Sequence, residues 1–169
     1  RSCARHISMM SNDLPLLRGS LKRNLLYRWR EAPESELERV IKLCGLEEVI
    51  AGLPGGLSAG IKEGGMNLSA GVAARVALAR AMVGNPRILL LDEPTLNLDD
   101  ATRRIVLEAL LHYGGTVLMV TREREEAALA DVVWEMEDGS IVRTVPGGVF
   151  RESIARPTDL PAWTRGGNR

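Results

Sequence analysis

A chain of 169 residues with 22 basic side chains against 22 acidic ones, 45% apolar and 26% charged, has the composition of a globular domain with a substantial core. Its balanced charge excludes an overall field that would draw it to nucleic acid or an anionic lipid surface. No apolar run approaches the roughly 18 residues of a membrane span, and the two cysteines, Cys3 and Cys44, have neither metal-ligand spacing nor the look of a disulfide framework, so a reducing, cytoplasmic setting is expected.

HISMM, residues 6–10, is a short apolar run followed by the polar, Pro-containing SNDLPLLRGS, which predicts a strand leaving the core into a loop. From 20 to 57 the pattern is helical: Leu37, Val40, Ile41 and Cys44 share a face, Pro33 fits a first turn and Gly45 a stop. The turn-rich LPGGLSAGIKEGG, residues 53–65, predicts an exposed, irregular loop. A helix over 71–83 follows, ended by Gly84 and Pro86, and then ILLL, residues 88–91, a nearly continuous apolar run that predicts a buried parallel strand. A helix over about 100–113 and the apolar TVLMVT, residues 116–121, complete a βαβ pattern and a parallel sheet. DVVWEM and SIVRTV flank Glu137, Asp138 and Gly139, a hairpin signal. Residues 146–169 show no period and read as a mobile or docking tail.

Two stretches carry chemistry. In NLSAG, Ser69 offers a hydroxyl at a helix start, and Ala70 and Gly71 offer little side chain, so backbone N–H groups there can approach a phosphate closely. On its own such a serine is more often a plain N-cap. In ILLLDEPT a buried apolar strand delivers Asp92 and Glu93 at its carboxyl end, where parallel α/β sheets place their ligands. Asp92 suits a Mg2+ ion held through its water shell, and Glu93 suits a group that orients or deprotonates the water attacking a γ-phosphate. The plainer alternative is a pair of solvated acids at a turn. Arg75 and Arg80 read as interface or solvent charges; Trp29, Trp134 and Trp163 are too dispersed for base stacking, and His6 and His112 have no ligand partners nearby.

LSAGVAARVALARAM resembles the signature motif and following helix, LSGGQ-x-x-R-x-A-x-A-R-A, of the nucleotide-binding domain of ATP-binding cassette (ABC) transporters. ILLLDEPT resembles the Walker B strand of that family and LNLD, residues 96–99, its D-loop, while DLPLLRGSLKRNLL sits where the family has its Q-loop segment. GLPGGLSAGIKEGGMNLSAG is similar to the run before the signature in exporter-type members with fused membrane domains, and the resemblance extends over about 6–142. It implies an α/β fold: a partial P-loop NTPase (RecA-like) core with parallel strands, plus an α-helical signature subdomain. On that pattern residues 1–19 are a core strand and Q-loop-like segment, 20–84 the signature subdomain, 85–145 the rest of the core, and 146–169 a flexible tail.

The resemblance implies an ATPase that uses ATP and Mg2+. Asp92 would serve the metal; Glu93 would be catalytic; Ser69, Ala70 and Gly71 would act on ATP held by the partner in a head-to-tail dimer; Asp99 would be the D-loop acid. Partners would be a second nucleotide-binding domain and transporter membrane domains, not nucleic acid, at the cytoplasmic face of the membrane. Complete cassettes also carry G-x-x-x-x-G-K-[ST], whose amides and lysine cradle the phosphates. Lys22, Lys42 and Lys62 are the only lysines, and none follows a glycine. The expectation is therefore that the phosphate loop lies upstream, in a Walker A half with which this chain pairs, and that the chain alone does not hydrolyse ATP. Three motifs depart from the family at four positions: Asn12 stands for the Q-loop Gln near the metal, Arg122 for the catalytic H-loop His, and Ala70 and Val72 for Gly and Gln in the signature. Asn is one methylene short, and Arg is permanently charged where imidazole switches roles. These departures leave open a degenerate cassette that dimerises on ATP as a regulatory module without efficient turnover.

Overall fold

A computed structural model describes residues 6–11 and 13–155, which form two compact units divided between Val120 and Thr121. The first unit is built on a parallel three-stranded sheet of β1 (Ile7–Met10), β4 (Ile88–Asp92) and β5 (Thr116–Val120), with β4 in the middle. Ile7 pairs with Ile88 and Ile88 with Thr116, so alternate residues of all three strands share a face. On one face Met10, Leu89 and Leu91 enter the core with Val76, Leu78, Ala79 and Met82 of α4 (Ala70–Met82) and Val106 and Ala109 of α5 (Asp100–Leu111). On the other, Met9, Leu118 and Val120 are exposed, and Ile88 and Leu90 are half-buried. The run ILLL is therefore a parallel strand as its composition predicts, but it is buried on one face only. Described helices of this unit pack on a single side, whereas a continuous apolar run suits a sheet covered on both.

Between β1 and β4 the chain makes a helical excursion. α1 (Leu21–Leu25) starts at Ser20, whose Oγ accepts from the Arg23 amide at 3.1 Å. Leu37 and Val40 of α2 (Glu34–Leu43), and Cys44 at its end, are buried, and Gly45 stops the helix with φ at +60°. Burial pushes the Cys44 thiol up to about 12, so it is an apolar filler. α3 (Glu47–Gly52) leads into residues 53–65, which are less irregular than their composition predicts. Gly60–Ile61 forms a short strand, β3, antiparallel to β2 (Gly19–Ser20), and Ala59 and Ile61 are buried. The turn residues there bend the chain without putting it all in solvent.

α2 also finishes α4. Arg39, paired with Glu36 at 2.8 Å, donates to the Met82 carbonyl at 3.1 Å, and Glu36 accepts from the Gly84 amide at 2.8 Å, so helix-end groups that lack intrahelical partners are satisfied from a neighbouring helix. Of the two readings of the arginines of α4, interface or solvent charge, the solvent one fails. Arg75 donates to the Gly45 carbonyl at 2.7 Å, and Arg80, only 9% exposed, donates to the Leu14 and Pro15 carbonyls at 2.5 and 2.9 Å. A long side chain on a half-apolar helix face buries its stem and finds carbonyls in loops that expose them.

The second unit contains α6 (Arg124–Ala127) and the hairpin of β6 (Val132–Glu137) and β7 (Ser140–Pro146). Asp138 and Gly139 turn it with φ of +47° and +77°, the sign pattern of the two-residue turn expected there. Residues 147–155, part of the stretch read as a mobile tail, form α7 (Gly147–Ala155). Its order comes from tertiary contact rather than periodicity: Phe150 is buried with Ala128 and Val145, and the Arg124 guanidinium lies 5.3 Å from its ring. Among the described residues no helix is long and apolar enough to cross a membrane.

Candidate nucleotide site

The carboxyl end of β4 carries the two acids. Asp92 still belongs to the strand, opposite Val120, and its side chain is exposed. Glu93 follows with its amide bonded to the Val120 carbonyl at 2.9 Å, and there the backbone leaves the strand with φ at +45°. A residue bearing a β-carbon adopts that region at a cost of about 1–3 kcal/mol and keeps it where surrounding structure enforces it. Pro94 and Thr95 behind it are buried, and the 2.9 Å bond ahead of it fixes the amide.

Ser11, directly after β1, is the neighbour that sequence reasoning missed. Its Oγ lies 3.5 Å from Asp92 Oδ2 and accepts from the Asp13 amide at 3.3 Å. Only its adjacency to Asn12 could have singled it out. Asn12 itself lies outside the described residues. A carboxylate and a hydroxyl are hard oxygen donors that suit Mg2+, an ion bound through one or two carboxylates and substrate phosphates rather than a protein cage. The described residues contain no cluster of three or more His, Cys, Asp or Glu side chains that could hold a metal ion.

The signature stretch starts α4. Ser69 is its N-cap, accepting from the Val72 amide at 3.3 Å, and Ser69 and Ala70 are exposed. Gly71 is buried, and a β-carbon there would sit 2.7 Å from Thr102 Oγ1 and 3.0 Å from its Cγ2. The lack of a side chain at 71 is therefore enforced by α5, a packing demand that differs from the close approach to phosphate read from the sequence. Thr102 also donates from its backbone amide and its hydroxyl to the two carboxylate oxygens of Asp99, at 2.9 and 2.8 Å. Those bonds hold the Asp99 carboxyl below the usual range and make it the N-cap of α5. The starts of α4 and α5 thus meet through Gly71, Thr102 and Asp99. α5 begins just beyond β4, so this junction lies on the carboxyl side of the sheet.

Arg122 belongs to the second unit and is exposed. Its turn is ordered by Thr121, whose Oγ accepts from the Glu123 amide at 3.0 Å and donates to Glu126 Oε2 at 2.7 Å. Glu126 is 1% exposed, so the acids around Arg122 are not uniformly a solvated surface.

Known proteins resemble this chain in sequence and in fold. The family model for ABC transporters matches residues 1–96. The glutathione/L-cysteine transport system ATP-binding/permease protein CydD of Escherichia coli (strain K12) is 34% identical over 163 residues, spanning 91% of this chain and 28% of that protein. The type I secretion system ATP-binding protein PrsD of Rhizobium meliloti (strain 1021) is 31% identical over 159 residues, covering 92% and 27%. A bacterial Atm1-family ABC exporter solved with ATP bound superposes with a TM-score of 0.78 at 26% identity, over 94% of this chain and 29% of that one. The chain thus spans under a third of the length of these relatives. With its parallel sheet ending in Asp92 and Glu93 and its capped helix from Ser69, the chain belongs to the ABC transporter family, as part of an ATP-binding domain whose relatives are exporter-type proteins.

Proposed function

We propose that this chain is the portion of an ABC ATPase that carries the signature helix and the hydrolytic carboxylates, and that it couples ATP binding and hydrolysis to transport through membrane domains. The observation that carries the proposal is Glu93, held at a positive φ at the end of a central parallel strand beside Asp92. Asp92 and the Ser11 hydroxyl, 3.5 Å apart, would hold a Mg2+ ion, which would supply neutralisation of phosphate charge. Glu93 orients and accepts a proton from the attacking water. Ser69, Ala70 and Gly71 present a helix start, with its unpaired amides, to ATP bound by a second cassette in a head-to-tail pair. Asn12 serves at the Q-loop position, Asp99 at the D-loop and Arg122 at the H-loop, and the partners are a segment carrying the phosphate loop, the second cassette and membrane domains at the cytoplasmic face.

Glu93→Gln in the assembled transporter is the test. It should lower ATP turnover by about 10²–10⁴-fold, the range for loss of general-base catalysis, and leave nucleotide trapped between the cassettes. A second reading, a regulatory cassette that closes on ATP without turning it over, is favoured by Asn12, Val72 and Arg122, which replace residues the family uses near the phosphates. That reading expects Glu93→Gln to change nothing.

A further inference from the structure

Residues 14–17 have no regular secondary structure, yet each of their four carbonyl oxygens is occupied. Arg80 takes those of Leu14 and Pro15, the Gly64 amide takes that of Leu16 at 2.9 Å, and Asn24 Nδ2 takes that of Leu17 at 2.9 Å. Asn24 is fully buried, and its Oδ1 also accepts from the Leu17 amide at 2.8 Å, so it pairs with Leu17 as another strand would. Leu16 is buried against Gly65, where a β-carbon would stand 3.1 Å from its Cδ1. Three elements therefore hold this strap: α1 through Asn24, the loop before the signature through Gly64, and α4 through Arg80. At its upstream end the Leu14 amide bonds the Ser11 carbonyl at 3.0 Å, and Ser11 is the residue beside Asp92.

Arg80 is the only one of these anchors on the signature helix. Burial lowers the pKa of its guanidinium, and a guanidinium withdrawn from water needs its hydrogen bonds made. Its planar fork reaches two successive carbonyls at once, which a lysine ammonium on a flexible stem does not reproduce. We propose that Arg80 is a positioning residue that yokes the loop beside Asp92 to the signature helix, so that the strap and α4 open and move as one body. The consequence for nucleotide chemistry rests on the function proposed above; the yoke itself does not.

Hydrogen–deuterium exchange on the full chain tests it. In Arg80→Lys, exchange at residues 14–18 and at the Gly64 amide should speed up at least tenfold, with the amides of β4 unchanged. Unaltered exchange in the strap overturns the proposal, and so does an equal acceleration in β4, which would make Arg80 a general core residue. The wild-type chain gives a second measurement that needs no variant. As denaturant is raised within the native range, the Leu17 and Gly64 amides should open together with the interior amides of α4; a strap that opens while α4 stays protected overturns the yoke. An assembled transporter that fails to hydrolyse ATP would refute the function proposed above, and these exchange results would still decide the role of Arg80.

Discussion

Gly71 shows how one residue can serve two demands. The sequence suggests a glycine that lets backbone approach a phosphate, whereas packing shows a glycine with no room for a methyl beside Thr102. Gly71→Ala should destabilise the protein by ~1–3 kcal/mol, the usual cost of overpacking a close contact. Because the obstacle is one hydroxyl and one methyl, adding Thr102→Ala should recover part of the loss, and a double-mutant cycle by denaturant unfolding should give a coupling of about 1 kcal/mol or more. Strict additivity would mean that the helices part instead of colliding. Ser69, by contrast, was legible in advance as an N-cap, because capping needs only a hydroxyl three residues before the bonded amide. Ser69→Ala should lower stability by ~1 kcal/mol in urea denaturation.

At the scale of elements, the end of α4 is held by α2 through Glu36 and Arg39. The bond from Arg39 is the largest influence holding the Glu36 carboxyl below its ordinary range; partial burial opposes it and the Gly84 amide assists. A carboxyl whose folded pKa is depressed stabilises the fold fully above its unfolded value, about 4.3 for glutamate, and loses that contribution as pH falls through the folded value. The Tm difference between the wild type and Glu36→Gln should accordingly be largest near neutrality and shrink once pH drops below that range. A difference that stays constant with pH would assign the effect to shape and not to charge. Apolar spacing located the helix and the i, i+3 spacing allows the Glu36–Arg39 pair, but the Met82 carbonyl and Gly84 amide that the pair also engages lie more than forty positions along the chain. α7 makes the same point: its residues show no useful period, and Phe150 finds its place through Ala128 and Val145.

Over the whole molecule, Asp92 and Glu93 lie at the carboxyl end of β4, while the sequence contains no glycine-rich loop ending in a lysine. Mg2+·ATP titrated into the 169-residue chain should therefore give no saturable rise in Tm. A ligand held by the folded state alone adds ~2.7 kcal/mol at a hundred times its Kd, so a saturable rise would mean that other residues of this chain bind nucleotide. The exposed apolar face of the sheet, with Met9, Leu118 and Val120, was invisible in the sequence because a strand's apolar run does not say how many of its faces are covered. What the sequence determined by itself was local: strands and helices from periodicity, the helix start at Ser69 from capping chemistry, the hairpin turn from Asp138 and Gly139, and the acids from their place at a strand end. Each depends on residues within a few positions of one another. Tertiary structure alone decided that Ser11 meets Asp92, that Thr102 joins Gly71 to Asp99, and that Arg80 holds residues 14–15. Those pairings are set by how helices and loops pack against the sheet, and except for Thr102 with Asp99 they span separations along the chain that no local pattern encodes.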